Sequence, residues 1–277
     1  MSPTQTENID AFSRLEHGGW QKVVKAYQRS FGALTIQTVQ PLLDAVRAGP
    51  GVKLLDAAAG PGYLAAAAAT RGAEVLGVDF SSAMVAAAQQ QYPEVKFRHG
   101  NAENLPFESE AFDAVAINFG MLHFARPDRA LEEACRVLRT GGRVGFTVWS
   151  KPDMAVGFHI ILDAIRTCGN MNVALPEGPP FFRFSDAREC SDAFLKAGFT
   201  DVRVCEVAQF WRLPSGDALF HAFQTATVRT AALLNAQTRE ALDKIRAAVE
   251  AATVPYQDAT GEIELPMPAV LAAATKR

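Results

Sequence analysis

The sequence predicts an α/β protein built on a doubly wound, mainly parallel sheet of seven strands. Three observations carry that expectation. Short apolar runs alternate with helical patterns between residues 52 and 149, which is how parallel crossover units read in sequence. The first two runs end in acids, Asp56 and Asp79. The first run passes directly through Gly60-Pro61-Gly62 into an alanine-rich helix.

Residues 10 to 47 read as mostly helical, with Val23, Tyr27, Phe31 and Leu34 near the spacing of one helix face and Pro41 interrupting the helix or starting another. After the Gly49-Pro50-Gly51 turn, strands are expected at 52–56, 74–79, 95–99, 112–118 and 143–149. Helices at 63–71 and 81–91 separate the first three strands, and a stripe of Leu131, Ala134, Cys135 and Leu138 marks another that Gly141-Gly142 should end. From Lys151 the alternation loosens. A helix at 154–169 leads to a Pro- and Phe-rich loop at 176–184, then to a helix capped by Ser185 or Asp186 and ended by Gly198. A sixth strand is expected over 202–210, two helices over 215–235 and 238–252, and a last strand near 269–275.

Composition narrows the function. With 49% hydrophobic residues, 21% charged residues and a net charge of -3, the chain has neither the basic balance of a nucleic-acid binder nor the bias of a disordered protein. Cys135, Cys168, Cys190 and Cys205 are too far apart for a metal knuckle or redox pair. No metal is expected. Neither a signal peptide nor a membrane span is legible, so the expectation is a cytoplasmic protein, monomeric or homodimeric.

The densest chemistry lies in Leu54-Leu55-Asp56-Ala57-Ala58-Ala59-Gly60-Pro61-Gly62-Tyr63-Leu64. A glycine turn lets backbone approach a ligand closely, and the helix that follows offers free N–H groups. Asp79 follows Asp56 by 23 residues, about the distance at which a second-strand carboxylate meets ribose hydroxyls in such sheets. Gly60-x-Gly62-x-x-Ala65 also satisfies the loose dinucleotide fingerprint, so a nicotinamide cofactor stays open at this point. Two features weigh against it. Asp56 would repel a pyrophosphate where it would attract an ammonium, and about fifty residues precede the first strand.

Four blocks in order give a resemblance: Val52 to Tyr63, Val75 to Met84, Gly100 to Phe107 and Arg136 to Arg143. Together they resemble class I S-adenosylmethionine-dependent methyltransferases, of the broad group that includes quinone-biosynthesis enzymes. The resemblance covers residues 50 to 150 well and the flanks only loosely. It implies a Rossmann-like fold in one structural domain: a helical N-terminal cap at 1–48, a cofactor-binding core at 49–150, and at 151–277 the rest of the sheet with an acceptor-site loop and a helical lid insertion.

The resemblance further implies that Asp56, Gly60 and Gly62 hold the methionine end of S-adenosylmethionine, while Asp79 binds the ribose hydroxyls. Met84 would pack on adenine, against the plainer reading of a core methionine, and Asn101 and Ala102 would face the adenine edge. Asn118 would lie beside the sulfonium. Ala58 stands where the family often has glycine, and Asn101 where it often has aspartate. Phe80, beside Asp79, and Tyr27, in the helical cap, complete the expected cofactor set.

His123 follows the carboxyl end of the fourth strand, the edge beyond which ligands bind in these sheets. It is the candidate general base, against the alternative of a loop histidine that caps the next helix. The aromatic clusters 181–184, 210–211 and 220–223, with His221, are candidates for the acceptor pocket. The expected activity is methyl transfer to a small organic acceptor. Rival readings are an RNA or protein methyltransferase, an NAD-dependent oxidoreductase and a non-catalytic cofactor-binding protein. The tetrad Asn118-Phe119-Gly120-Met121 lacks the Asn/Asp-Pro-Pro-aromatic pattern expected of amide or base N-methylation.

Overall fold

The computed structural model describes residues 3–277. Helices α1 (Pro3–Trp20), α2 (Val24–Arg29), α3 (Gly32–Thr35) and α4 (Val39–Ala45) precede the first strand. Pro41 sits in the first turn of α4, where its missing N–H has no helical partner to lose. The alternating core follows as β1 (Lys53–Ala57), α5 (Tyr63–Thr70), β2 (Glu74–Asp79), α6 (Ser82–Gln91), β3 (Lys96–His99), β4 (Phe112–Asn118), α7 (Pro127–Val137) and β5 (Leu138–Trp149). Beyond it come α8 (Val156–Cys168), α9 (Ala187–Lys196), β6 (Phe199–Val207), β7 (Phe210–Leu213), α10 (Gly216–Ala226), α11 (Arg229–Asn235), α12 (Arg239–Thr253), β8 (Ile263–Pro266) and β9 (Ala269–Lys276).

Seven strands form one sheet in the order β3-β2-β1-β4-β5-β9-β6. Only β9 runs against its neighbours, pairing antiparallel with β5 and β6, which gives the mainly parallel doubly wound sheet expected. The strand order reverses between β1 and β4. Their carboxyl ends splay the following loops apart and open a crevice. Leu54 and Leu55 are wholly buried between helical layers, so β1 reads as a continuous apolar run rather than an alternating one.

The structure departs from the sequence expectation chiefly in three places. The helix expected over 215–235 breaks after Ala226, because the Thr227 hydroxyl donates to Phe223 O and accepts from Ala231 N, closing one helix and opening the next. The strand expected at 202–210 begins at Phe199 and stops at Val207. Gln209 is buried there, its Nε2 donating to Leu34 O and its carbonyl accepting from Met267 N, so the chain leaves the main sheet and pairs β7 with β8 instead. The helix expected to reach Gly141 ends at Val137, and β5 starts at once.

One hydrophobic core runs from Phe31 of the N-terminal segment through the sheet to α8, α10 and β9. A smaller cluster of Trp20, Met84 and Val228 fastens α1 over the carboxyl edge of the sheet. No helix among the described residues is long and apolar enough to cross a membrane.

Candidate functional site

The crevice at the β1–β4 switch opens into a cavity of about 990 Å³, part of it open to solvent. A smaller space of about 410 Å³ adjoins it and shares Ala58, Asp79, His123 and Phe124. Both lie under α1.

The floor is the turn after β1. Ala58 N and Ala59 N both donate to Val78 O, which ties the turn to β2. Ala58, Gly60 and Gly62 all take positive φ, at 76°, 53° and 89°. Alanine thus holds a left-handed conformation that glycine adopts at less cost. Opposite it, Phe119 at the end of β4 also has a positive φ of 54°, and a Cβ on Gly120 would stand 2.7 Å from the Ala58 Cβ. Two strained turns therefore meet across the switch point, as functional crevices often require.

Two carboxylates face this turn. Asp79 Oδ2 accepts from Gly60 N at 2.8 Å and Oδ1 from Ser81 N at 2.8 Å. Asp56 is fully buried; Oδ2 accepts from Ala65 N, and Oδ1 has no partner. Burial, reinforced by Asp79, pushes the Asp56 carboxyl up to about 8. Burial also raises Asp79, against hydrogen bonds from Ser81 and Gly60 and the fields of His123 and His99. Such a pair is relieved by a cation and worsened by a phosphate.

The structure brings most of the predicted residues to these two spaces. Tyr27, Asp56, Ala58, Gly60, Asp79, Met84, Asn118 and His123 line the larger one, and Phe80, Asn101 and Ala102 line the smaller. Gly62 lies outside both. It caps α5 with its hydrogen facing Phe97, where a Cβ would stand 2.7 Å from the ring, so it shapes the turn rather than the cavity wall. Asn118 is engaged elsewhere: Oδ1 accepts from Thr147 Oγ1 and Thr38 Oγ1, and Nδ2 donates to Thr35 O. Tyr27 donates to or accepts from Thr35 Oγ1, and burial pushes its phenol up to about 12. Met84 packs on Trp20 and Val228.

His123 stands at the junction of the two spaces. Its Nδ1 lies 3.0 Å from Oε2 of Glu16, a wholly buried acid on α1 that also accepts from Trp20 Nε1. With Glu16 ionised and the imidazole neutral, Nδ1 carries the hydrogen and Nε2 keeps its lone pair. Of the expected acceptor-site aromatics, Phe181 lines the cavity, whereas Trp211, Phe220 and Phe223 belong to the buried core and Phe210 and His221 are exposed. Phe31, Trp149, Phe158, Glu16 and Arg229 escaped sequence reasoning. Glu16 and Trp20, four residues apart on one face of the cap helix, were the available sign.

This architecture is the Rossmann-like α/β fold that methyltransferase structures share. Residues 55–146 match the family model described as a methyltransferase domain. A demethylmenaquinone methyltransferase of Clavibacter sepedonicus is 33% identical over 156 residues, covering 53% of this chain and 64% of that protein. The enzyme of the same description from Beutenbergia cavernae is 42% identical over 113 residues, 41% of this chain and 47% of that one. The chain thus spans about half to two thirds of the length of these curated relatives. Among solved structures, an S-adenosylmethionine-dependent methyltransferase from Thermotoga maritima superposes with a TM-score of 0.56 at 19% identity, over 95% of this chain and all of that one.

Proposed function

We propose that this protein transfers a methyl group from S-adenosylmethionine to a small, largely apolar organic acceptor, leaving S-adenosylhomocysteine. The observation that carries the proposal is the buried Asp56 oxygen without a partner, beside Asp79, at a glycine turn that opens on an aromatic chamber. A ligand with an ammonium and a sulfonium suits that field; a dinucleotide pyrophosphate does not. Asp56 and the turn backbone would hold the methionine end, Asp79 the ribose hydroxyls, and Phe80, Met84, Asn101 and Ala102 the adenine.

When bound, S-adenosylmethionine supplies an electrophilic methyl group with a neutral leaving group. The chain contributes alignment and exclusion of water. Trp20, Phe31, Trp149, Phe158 and Phe181 wall the chamber beyond the turn, which favours a flat or branched apolar acceptor over a macromolecule. His123 Nε2 would remove the proton of an attacking hydroxyl or acidic carbon, its imidazole held by Glu16; an unprotonated amine or thiolate needs no base. The net charge of -3 and the four unbridged cysteines support a cytoplasmic small-molecule enzyme.

Calorimetric titration with S-adenosylmethionine, S-adenosylhomocysteine and NADH tests the proposal. Binding of the first two, lost in Asp79→Ala, supports it; binding of NADH alone makes the protein an oxidoreductase. Cofactor binding without turnover across a broad acceptor panel would leave a non-catalytic binding protein.

A further inference from the structure

Arg229 opens α11 at the rim of the aromatic chamber. Its guanidinium carbon lies 5.2 Å from the ring centre of Phe12 on α1 and 5.3 Å from that of Phe181 in the 176–184 loop. Among the described residues, its hydrogen bonding is a single contact from Nη1 to Pro179 O at 3.1 Å. No described carboxylate reaches it within ion-pair distance, in contrast to Arg183, which pairs with Asp128 and Glu189, and Arg136, which pairs with Glu133. Glu16, the acid whose field it feels, spends Oε2 on His123 and Trp20. Burial draws the guanidinium below its ordinary value, the cost of a cation held among rings.

None of the Arg229 nitrogens is sealed off as a buried unpaired atom, so the spare donors keep access to solvent, and the residue lines neighbouring cavities. There are two of these. One is the chamber beside His123; the other is a neighbouring space of about 890 Å³ walled by Leu162, Leu175, Phe182 and Leu233. Phe158 and Phe181 belong to both. A planar fork of N–H donors with a single protein acceptor, Pro179 O, and its other donors spare, set in an apolar wall, matches a carboxylate in both shape and charge.

We propose that Arg229 receives the carboxylate of the methyl acceptor, and that the acceptor is an otherwise apolar organic acid whose body rests on Phe158 and Phe181. This assignment rests on the methyl-transfer proposal and names its substrate class. A cation would be repelled at this point. A neutral amide of the same shape would lose the ionic hydrogen bonds and bind more weakly.

The test uses the full chain saturated with S-adenosylhomocysteine and two matched pairs of probes, 2-naphthoate with 2-naphthamide and decanoate with decanamide. At least one acid should bind about tenfold or more tightly than its amide, a step of about 1.4 kcal/mol. Arg229→Gln should abolish that preference and Arg229→Lys should keep part of it. Equal binding of acid and amide in both pairs, no binding by any probe, or a preference that survives in Arg229→Gln overturns the assignment. So does loss of S-adenosylhomocysteine affinity in Arg229→Gln with no acid preference in the unaltered protein, which would give the arginine to the cofactor instead. If S-adenosylhomocysteine fails to bind the unaltered protein, the methyl-transfer proposal is what fails, and the same comparison on the ligand-free chain still decides the role of Arg229.

Discussion

His123 Nδ1 and Glu16 Oε2 meet at 3.0 Å, joining the loop after β4 to a helix 107 residues earlier in the chain. The acid is wholly buried and also takes the Trp20 indole N–H, so one oxygen fixes both the imidazole and the aromatic that covers it. In the neutral imidazole, donation from Nδ1 to the carboxylate leaves Nε2 free to take a proton. On a hydroxyl acceptor, His123→Ala should lower kcat by about 10² to 10⁴-fold, the usual worth of a general base. Glu16→Gln should lower it less, by roughly tenfold, because the base persists and loses its orientation. Transfer to an amine acceptor should be nearly untouched in both variants. Equal losses on hydroxyl and amine acceptors would show that the pair only supports the lid.

Asp56 carries a pH dependence whose sign follows from its burial. Its carboxyl is raised to about 8, well above the value of an unfolded aspartate, by desolvation first and the Asp79 charge second. The folded, ligand-free protein therefore holds a proton that the unfolded chain releases. The associated stability is complete below about pH 4 and is lost as pH rises through about 8. A bound ammonium favours the ionised carboxylate, so S-adenosylhomocysteine binding should release a proton below pH 8 and strengthen from pH 6 to 8. Calorimetry in two buffers of different ionisation enthalpy measures that release. Asp56→Asn should abolish it, and should raise the melting temperature of the free protein at pH 8 more than at pH 5.5. A binding constant flat in pH, with no proton released, would mean that Asp56 does not face the ligand.

The parts of the site legible in sequence are those written in consecutive residues. Asp56 to Tyr63, Asp79 with its neighbours and the Gly100 to Phe107 block each lie at the end of one strand or in the turn after it, so local pattern specifies them. Glu16 and Arg229 were not legible, for different reasons. Glu16 gains meaning from His123, a contact that no local spacing encodes. Arg229 reaches the chamber because Thr227 turns its hydroxyl onto both flanking helices and breaks what periodicity alone reads as one helix. β8 is four residues long and exists by pairing with β7 across an intervening helical insertion, again a contact set by tertiary structure. Gly62 shows the converse: its motif position was clear, but packing against Phe97 removes it from the cavity.

The turn offers a paired test of backbone strain. Ala58 at φ 76° carries the left-handed penalty of about 1 kcal/mol or more, which glycine would not. Ala58→Gly should therefore raise the melting temperature, by roughly 2 °C for a chain of this size, partly offset by unfolded-state entropy. Gly62→Ala should do the opposite. It places a Cβ at φ 89° and 2.7 Å from Phe97, with Ala88 at 3.1 Å, and should destabilise by about 2 kcal/mol or more. Differential scanning fluorimetry of both variants checks the signs. Loss of stability in Ala58→Gly would mean that the alanine methyl contributes more by its packing near Gly120 than its conformation costs.

Helix α1 roofs the crevice, and its attachments are few enough to test singly. Gln21 Oε1, just past its end, accepts from Ala83 N at 2.9 Å, Ser82 Oγ at 3.2 Å and Ser81 Oγ at 3.3 Å, latching the helix to the start of α6. Trp20 packs on Met84 and Val228, and the close approach of Gly19 to Val228 leaves no room for a Cβ, which would stand 2.5 Å from the valine. This roof covers the space beside Asp79, so opening of α1 should limit both entry and release of a ligand there. Gln21→Ala removes the latch without touching the cavity floor. It should speed association and dissociation of S-adenosylhomocysteine by a similar factor, several-fold each, with little change in affinity. Stopped-flow tryptophan fluorescence, with Trp20 as reporter, reads both rates. A change in dissociation alone would instead place Gln21 among the groups that hold the bound state, and unchanged rates would show that ligands enter by another edge of the crevice.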